Sequence, residues 1–322
     1  MSERIVVGLV PGERGLAALQ LGAMMARAFD DDLVVASVVP APWPPNPYRP
    51  DAEYLAHQEA AAQASLDRAR TDLGPEPAAD FVVHRARSVS SGLLEVAQEY
   101  GATRVALGSS TTGPFGRVSL GSIADRILHS SALSLSLAPQ GFSPGPMTRI
   151  ERLTVAFGRS DGDGDLLGTA AAAADSAKAA LRVACFAVRP MTTYGGSIEP
   201  SAEDLVVDEW ARHLGEDIAG AMTAAGLAPM APQVETVIGQ GTSWAKALAE
   251  ISWAPGDVLV VGSSASPFDR FLLGSHASKI VRSAPVPVLL VPRGMSAGAV
   301  PDDGLALRLV EGYLDPSPTR RS

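Results

Sequence analysis

"ALGSSTTGPFGRVSLGSIADRIL", at Ala106–Leu128, has a second version later in the chain, "VGSSASPFDRFLLGSHASKIV", at Val261–Val281. Each version follows an apolar run and leads into a helical pattern of apolar residues. Their central parts, "PFGRVSLGS" and "PFDRFLLGS", share Pro, Phe, Arg, Leu, Gly and Ser at the same spacing. A repeat period of about 150 residues is too long for a solenoid, so the sequence predicts one domain that is present twice.

Short apolar runs alternate with helical patterns in both halves. The runs are mostly continuous and rich in Val and Leu, as expected of strands that are buried on both faces. Between them, apolar residues recur at steps of three and four, as in Leu93, Val96, Ala97 and Tyr100, which predicts amphipathic helices. This alternation predicts, in each half, an open parallel sheet with helices on both faces. The predicted strands are Arg4–Val10, Leu33–Val39, Asp80–Arg85, Arg104–Gly108, Ala132–Ala138, Leu153–Phe157, Leu181–Val188, Gln233–Ile238, Asp257–Gly262 and Val286–Val291.

The repeat also predicts the domain boundaries, because its offset continues to the apolar run that closes each half. The first domain is expected over residues 1–140 and the second over residues 151–293. The segment between them, 141–150, is short and turn-rich, which is typical of a linker. Residues 294–322 match nothing in the first half and are predicted to form a C-terminal tail.

Composition and charge disfavour several classes of protein. The chain of 322 residues carries a formal net charge of −9, which disfavours binding to nucleic acid or to an anionic membrane. No apolar stretch reaches the roughly 20 residues that a bilayer span requires. The amino terminus shows no charged and apolar leader, and the one cysteine, Cys185, cannot form an internal disulfide. These features predict a cytoplasmic protein without nucleic-acid or membrane partners.

A Gly-Ser pair ends the fourth predicted strand of each half, and a second Gly-Ser pair begins the helix that follows. Gly108 and Gly262 allow close approach of the backbone to a ligand, and a helix start offers N–H groups and a positive dipole end to an anion. Such sheets also bind their ligands at the carboxyl ends of the strands. Ser122 and Ser275 are predicted either to hydrogen-bond a phosphate oxygen or only to cap the helix.

A strand, the pattern G-x2-G-x9-G-[ST], a helix and a short terminal strand such as "APVPVLLVP" together resemble the universal stress protein family, in a tandem form with two such domains in one chain. The resemblance covers residues 3–139 and 151–292. It implies a Rossmann-like α/β fold with five parallel strands per domain. It also implies that the terminal strands pair, so that the two domains form an intramolecular pseudo-dimer. The apolar residues expected at this contact are Leu133, Leu135, Leu137, Val286, Val288 and Leu290.

The same resemblance implies a nucleotide site, because one subgroup of the family binds ATP. ATP, with Mg, is therefore the expected cofactor. Thr111 and Ala265 stand where the family has its second glycine, and the loop of the second half is one residue shorter. The residues expected to bind the nucleotide are Gly108, Ser109, Thr111, Gly121, Ser122, Gly262, Ser263, Ala265, Gly274 and Ser275.

The chain departs from the family again at the position that meets the base. Nucleotide-binding members place an aspartate just after the first strand, and the matching residues here are Val10 and Gly158. Neither side chain can accept a hydrogen bond. The resemblance therefore does not extend to side-chain recognition of the base in either half.

Catalytic patterns are absent from the sequence. The five histidines show no metal-binding spacing, and no G-x-S-x-G motif is present. His276 follows Ser275 at a predicted helix start, where it is expected either to touch a phosphate or to serve packing. The sequence thus predicts no catalytic residue and no metal site, and at most weak ATP hydrolysis.

Two functions from different classes follow from these patterns. The first is a stress-response sensor or interaction module that binds ATP or another adenine nucleotide at the glycine loops. The alternative is a nucleotide-free, dimer-like scaffold that recruits a protein partner. The sequence does not identify that partner, and further self-association is compatible with either function.

Overall fold

The apolar runs of the sequence form the strands of a single ten-stranded sheet with helices on both faces. The computed structural model describes residues 3–11, 15–40, 51–110, 113–131, 133–145, 147–158, 163–188, 213–228, 233–263 and 273–292. The strands are β1 (Arg4–Gly8), β2 (Asp32–Pro40), β3 (Ala79–Ala86), β4 (Arg104–Gly108), β5 (Ser134–Ala138), β6 (Arg152–Ala156), β7 (Ala180–Val188), β8 (Glu235–Gly241), β9 (Asp257–Gly262) and β10 (Val288–Val291). The helices are α1 (Leu16–Phe29), α2 (Asp51–Leu73), α3 (Val89–Tyr100), α4 (Ser122–Ser130), α5 (Asp163–Ala177), α6 (213–224), α7 (Trp244–Glu250) and α8 (Ser275–Ser283).

The order of strands across the sheet is β3-β2-β1-β4-β5-β10-β9-β6-β7-β8. Within each half all neighbouring strands are parallel, which confirms the predicted fold class. Val6 of β1 lies opposite Val34 of β2, and Thr154 of β6 lies opposite Arg182 of β7. The two pairs are related by one constant shift in residue number. Each position of β1 and β2 therefore has a defined counterpart in β6 and β7.

The two halves meet through their terminal strands, β5 and β10, which pair in antiparallel orientation. Val288 lies opposite Leu137, and Leu290 lies opposite Leu135, so the predicted pseudo-dimer contact is confirmed. All four side chains are fully buried. Because the two halves run in opposite directions, the carboxyl ends of their strands lie at opposite edges of the sheet.

Two apolar layers cover the sheet, one on each face. One layer packs α1, α2, α5 and α6 against the strands and contains Met24, Leu66 and Leu167. The other packs α3, α4, α7 and α8 and contains Leu93, Ile127 and Leu248. Both layers continue across the junction of the halves, because residues from both halves belong to each cluster. Burial of this apolar surface is the main driving force for the joint fold.

Side-chain caps set the start of one helix on the second face in each half. Ser88 precedes α3 in an extended conformation, and its hydroxyl accepts a hydrogen bond from the Ser91 N–H at 3.1 Å. Ser243 precedes α7 with the same backbone angles and accepts from the Lys246 N–H at 3.3 Å. Val89 and Trp244, the first residues of these two helices, are therefore counterparts.

The second half carries a fully buried arginine, Arg182, within an ionic network. The Arg182 guanidinium donates to Thr154 Oγ1 and to the Ser252 carbonyl, both at 3.0 Å, and lies 3.6 Å from an Asp257 oxygen. Arg152 donates to both oxygens of Asp257 at 3.0 and 2.7 Å. Burial lowers the pKa of the Arg182 guanidinium, and the nearby Arg152 charge lowers it further. The counterparts of Arg182 and Thr154 in the first half are the apolar pair Val34 and Val6.

None of the helices in the described ranges is both long enough and apolar enough to cross a membrane.

Candidate functional site

A cleft of about 360 Å³ opens at the carboxyl ends of β1 and β4 in the first half. Its floor includes Gly8 and Gly108, and the start of α4 forms one side. This is the edge at which open parallel sheets bind their ligands. The volume lies within the range of about 300–1,000 Å³ that is typical of small-molecule sites.

The other walls of the cleft are apolar. Leu9, Val38, Val89, Leu93 and Ile123 line it. No described lining residue carries a charged side chain. The cleft can therefore enclose an apolar ring. In the part of the lining that the structure describes, an anionic group would find backbone dipoles and no charged side chain.

Two glycines create the space inside this cleft. A Cβ at Gly8 would lie 2.5 Å from Cδ2 of Leu107, and a Cβ at Gly121 would lie 3.3 Å from the Cβ of Ser110. Gly121 has φ −96° and ψ 169°, angles that any residue can adopt. The backbone angles therefore do not require glycine at this position. Glycine is favoured because a side chain would lie close to Ser110 and fill the open space beside it.

The start of α4 presents its backbone N–H groups to the cleft. Gly121 is the N-cap residue and provides no side-chain cap. The first helical hydrogen bond runs from the Asp125 N–H to the Gly121 carbonyl at 3.0 Å, so the N–H groups of residues 122–124 have no partner within the helix. The predicted capping role of Ser122 is wrong, because this residue begins the helix with an exposed side chain.

The end of β4 does not present the N–H groups that the sequence suggested. The Ser109 N–H donates to the Ala138 carbonyl at 3.1 Å, and the Ser110 N–H donates to the Ser119 carbonyl at 3.0 Å. The Ser109 hydroxyl donates to the same Ala138 carbonyl at 2.6 Å and accepts from the Ser119 N–H at 2.9 Å. Ser109 therefore holds the loop against β5. Between these two ends of the described loop, the N–H groups without a partner in their own helix are those at the start of α4.

The loop between Ser110 and Gly121 also reaches the other half. The Arg117 guanidinium donates to the Ser283 carbonyl at the end of α8. The Val118 N–H donates to the Ala284 carbonyl at 3.2 Å. Sequence reasoning missed this role of Arg117. The signal was present in the repeat, because an arginine two residues after the Pro-Phe pair recurs in both halves although a phosphate loop does not require it.

The second half repeats the backbone of the site. The Ser263 N–H donates to the Val291 carbonyl at 3.0 Å, as Ser109 does to Ala138. Gly274 is the N-cap of α8 without a side-chain cap, and Ser275 is the exposed first residue of the helix, so its predicted capping role is also wrong. Gly262 ends β9 and is buried. Thr111 and Ala265 lie outside the described residues.

Aromatic side chains distinguish the second half from the first. Phe186, Trp244 and His276 are the counterparts of Val38, Val89 and Ile123, the three aliphatic walls of the first cleft. The Trp244 ring centroid lies 6.4 Å from that of Phe186 and 5.3 Å from that of His276. Phe186 and His276 thus each contact the Trp244 ring, at positions that are aliphatic in the first cleft. The His276 side chain is exposed and contacts the Trp244 ring, which agrees with one of the two roles that the sequence left open.

The position after the first strand also differs between the halves. Val10 lines the mouth of the first cleft and is 47% exposed. Its counterpart, Gly158, has no side chain. Ala156, at the end of β6, is the counterpart of Gly8. The second half therefore has a methyl group at a position where the floor of the first cleft has no side chain. Among the residues that the structure describes, no three His, Cys, Asp or Glu side chains are placed to hold a metal ion.

Comparisons with known proteins agree with the fold. The universal stress protein family model matches residues 1–137 and 149–292. A universal stress protein of Mycobacterium tuberculosis (strain ATCC 25618 / H37Rv) is 36% identical over 297 residues, which is 89% of this chain and 99% of that protein. A solved universal stress protein from Archaeoglobus fulgidus DSM 4304 has a TM-score of 0.57 at 16% identity, over 91% of this chain and 100% of that one. The solved structure supports the fold, and the family match extends over both halves. The chain therefore belongs to the universal stress protein family.

Proposed function

We propose that the first half binds an adenine nucleotide and that the second half serves as a structural partner. The observation that carries this proposal is the start of α4, which has no side-chain cap and opens into an apolar cleft. A phosphate group would accept hydrogen bonds from the N–H groups of residues 122–124, where the helix dipole favours negative charge. The base would lie against the aliphatic walls on the β2 and α3 side.

The aliphatic walls suit a planar ring. Val38, Val89 and Leu93 form a surface that buries a base by the hydrophobic effect, worth roughly 25 cal/mol per Å² of apolar area. Gly8 keeps the floor below this surface free of a side chain. Phosphate binding alone would not need such walls, so their presence favours a ligand that combines an anion with an apolar body.

The three rings of the second half favour a scaffold role there. Phe186, Trp244 and His276 take up room in the region where the first half is open. The helix start at Gly274 is repeated, but three of the aliphatic walls are replaced by these rings. The proposed function thus follows the first alternative, with a nucleotide-binding half and a half that supports it through β10.

The proposed role is that of a binding module. Ser109, the hydroxyl nearest the strand end, already donates to Ala138 and accepts from Ser119. It is therefore committed to the fold and does not act as a nucleophile. The loop that carries it also contacts α8 through Arg117, which offers a route by which an occupied cleft affects the junction of the halves.

Calorimetric titration with ATP and Mg tests the proposal, together with analysis of nucleotide released on denaturing the freshly purified protein. Gly121→Val places a branched side chain beside Ser110 at the start of α4, and we expect loss of binding. Gly274→Val is the matched control, because it makes the same change at the N-cap of α8, where a Cβ meets nothing within 4 Å. Unchanged affinity in Gly121→Val, or no heat from the unsubstituted protein at millimolar ATP, would contradict the proposal.

A further inference from the structure

We infer that a second cavity of the first half binds a small zwitterion of the aliphatic amino-acid class. This cavity is formed by α1, the end of α2 and the segment that joins the two halves. It shares no lining residue with the first cleft. The inference therefore goes beyond the proposed function and does not rest on it.

Three separate parts of the chain build the second cavity, which has a volume of about 310 Å³. Leu73 is the last residue of α2, and Ser143–Gly145 belongs to the segment between the halves. The residues that α1 contributes recur at steps of three and four, so they form one stripe along that helix. They are Leu16, Leu19, Gln20, Ala23 and Arg27.

Arg27 brings a positive charge to the second cavity. Its Nη2 donates to the Glu76 carbonyl at 3.4 Å, just beyond the end of α2. Its Nε is buried without a hydrogen-bond partner, and the guanidinium forms no ion pair within the described ranges. The residue as a whole is only partly buried, so this edge of the guanidinium can turn to a ligand in the cavity. A carboxylate is the group that a guanidinium edge binds best, by charge-assisted hydrogen bonds.

Two acceptors line the same cavity. Gln20 Oε1 is buried and has no hydrogen-bond partner among the residues that the structure describes. Asp72 lies at the end of α2 with an exposed side chain, and in the described part of the chain it forms no ion pair, not even with Arg27. An ammonium group has three N–H donors and no acceptor, so it suits a carboxylate and an amide oxygen together.

The charges and the apolar walls together specify the class of ligand. Arg27 and Asp72 carry opposite charges, face one cavity and do not pair with each other, so their charges sum to zero. A ligand with one charge would answer only one of them, and the other would lose solvent without gaining a partner. A zwitterion answers both. Leu19 and Leu73 are buried beside these groups and offer contact to an aliphatic side chain.

The place of the cavity gives such a ligand a structural consequence. Ser143–Gly145 lies between β5 of the first half and β6 of the second. A bound amino acid would contact this segment together with both helices, and it would therefore hold the segment against the first half.

Calorimetric titration of the full chain with L-leucine tests the inference. Two analogues of the same aliphatic shape separate the charges, since isocaproate lacks the ammonium group and isoamylamine lacks the carboxylate. We expect L-leucine to bind, and we expect each analogue to bind at least about tenfold more weakly, because each loses hydrogen bonds to a charged group. No heat from L-leucine at millimolar concentration, or equal affinity of either analogue, would overturn the inference.

Charge-removing variants locate the site. Arg27→Gln and Asp72→Asn keep a polar side chain of similar shape, and we expect each to lower the affinity for L-leucine by about tenfold or more. Arg126→Gln is the matched control, because this exposed arginine of α4 lines neither cavity, and we expect unchanged affinity. Unchanged affinity in Arg27→Gln or in Asp72→Asn overturns the assignment of the site. ATP titrations of the same variants report the first cleft separately, so failure of the proposed function and failure of this inference are distinguishable.

Discussion

The two halves of this chain share a backbone and differ in the side chains that surround the site. Each half ends its fourth strand in Gly-Ser, each begins the next helix at a glycine without a side-chain cap, and each ties that strand end to its terminal strand. Val38, Val89 and Ile123 leave a cleft open in the first half. Phe186, Trp244 and His276 pack together at the same positions in the second. A repeated backbone motif can therefore carry different walls, as it does at these three positions among the residues that the structure describes.

The cores of the halves differ as well. The first half places Val34 and Val6 side by side, and the second places Arg182 and Thr154 at the same register positions. A charged side chain that is 1% exposed must keep its partners, because removal of a partner leaves an uncompensated charge in the interior. The second half thus depends on a polar network at a register position where the first half is apolar.

Closing the first cleft has the largest expected effect on binding. The triple change Val38→Phe, Val89→Trp and Ile123→His gives the first half the rings of the second. We expect ATP affinity to fall by more than about 100-fold, because the rings occupy the volume that the base needs. Calorimetry measures the affinity, and circular dichroism checks that the variant remains folded. Retained affinity in a folded variant would show that nucleotide binds elsewhere.

Breaking the buried network has the largest expected effect on stability. Asp257→Ala leaves the buried Arg182 without its carboxylate, whereas Arg152 keeps Glu235 at 3.5 Å. We expect a loss of about 3–5 kcal/mol in the free energy of unfolding. Urea denaturation measures this quantity. The control is Arg182→Val with Thr154→Val, which installs the apolar pair of the first half. We expect the control to cost much less, and an equal loss in both variants would contradict the comparison.

Removing the link between the halves has a smaller expected effect. Arg117→Ala loses the hydrogen bond to the Ser283 carbonyl, a charge-assisted contact worth about 1.5–3 kcal/mol. We expect the urea midpoint to fall accordingly. Arg126→Ala is a matched control, since this residue is an exposed arginine on α4. Equal behaviour of the two variants would show that Arg117 does not hold the halves together.

Opening the second half has the smallest expected effect. A triple variant introduces the aliphatic walls of the first half near the start of α8, by the changes Phe186→Val, Trp244→Val and His276→Ile. We expect a second, weaker nucleotide site, because Ala156 still places a methyl group where the first half has Gly8. Calorimetry would then report two sites per chain. A count that stays at one would show that residues other than the three rings distinguish the second half.

The strands and the junction of the halves were predictable from the sequence. Continuous Val and Leu runs specify strands buried on both faces, and the terminal run of each half has the apolar residues that a paired edge needs. The predicted strands Arg104–Gly108 and Asp257–Gly262 have the bounds that the structure shows. These features depend on local hydrophobicity, which a sequence displays directly.

The site was predictable only in outline. The positions of Gly121 and Gly274 followed from the repeat, but the roles of the serines did not, because either residue of a Gly-Ser pair can serve as N-cap. The contact of Arg117 with Ser283 joins residues far apart in the chain, and the ring cluster appears only when sheet register aligns the halves. Such features depend on how distant segments pack in the fold, which a local sequence pattern does not show.

The most direct test of the difference between the halves is a crystal structure of the full chain grown with saturating ATP and Mg. This account predicts one nucleotide per chain, with phosphate at the N–H groups of residues 122–124 and with Phe186, Trp244 and His276 still packed together. A nucleotide at the start of α8, or a first cleft that stays empty while nucleotide binds elsewhere on the chain, would contradict it.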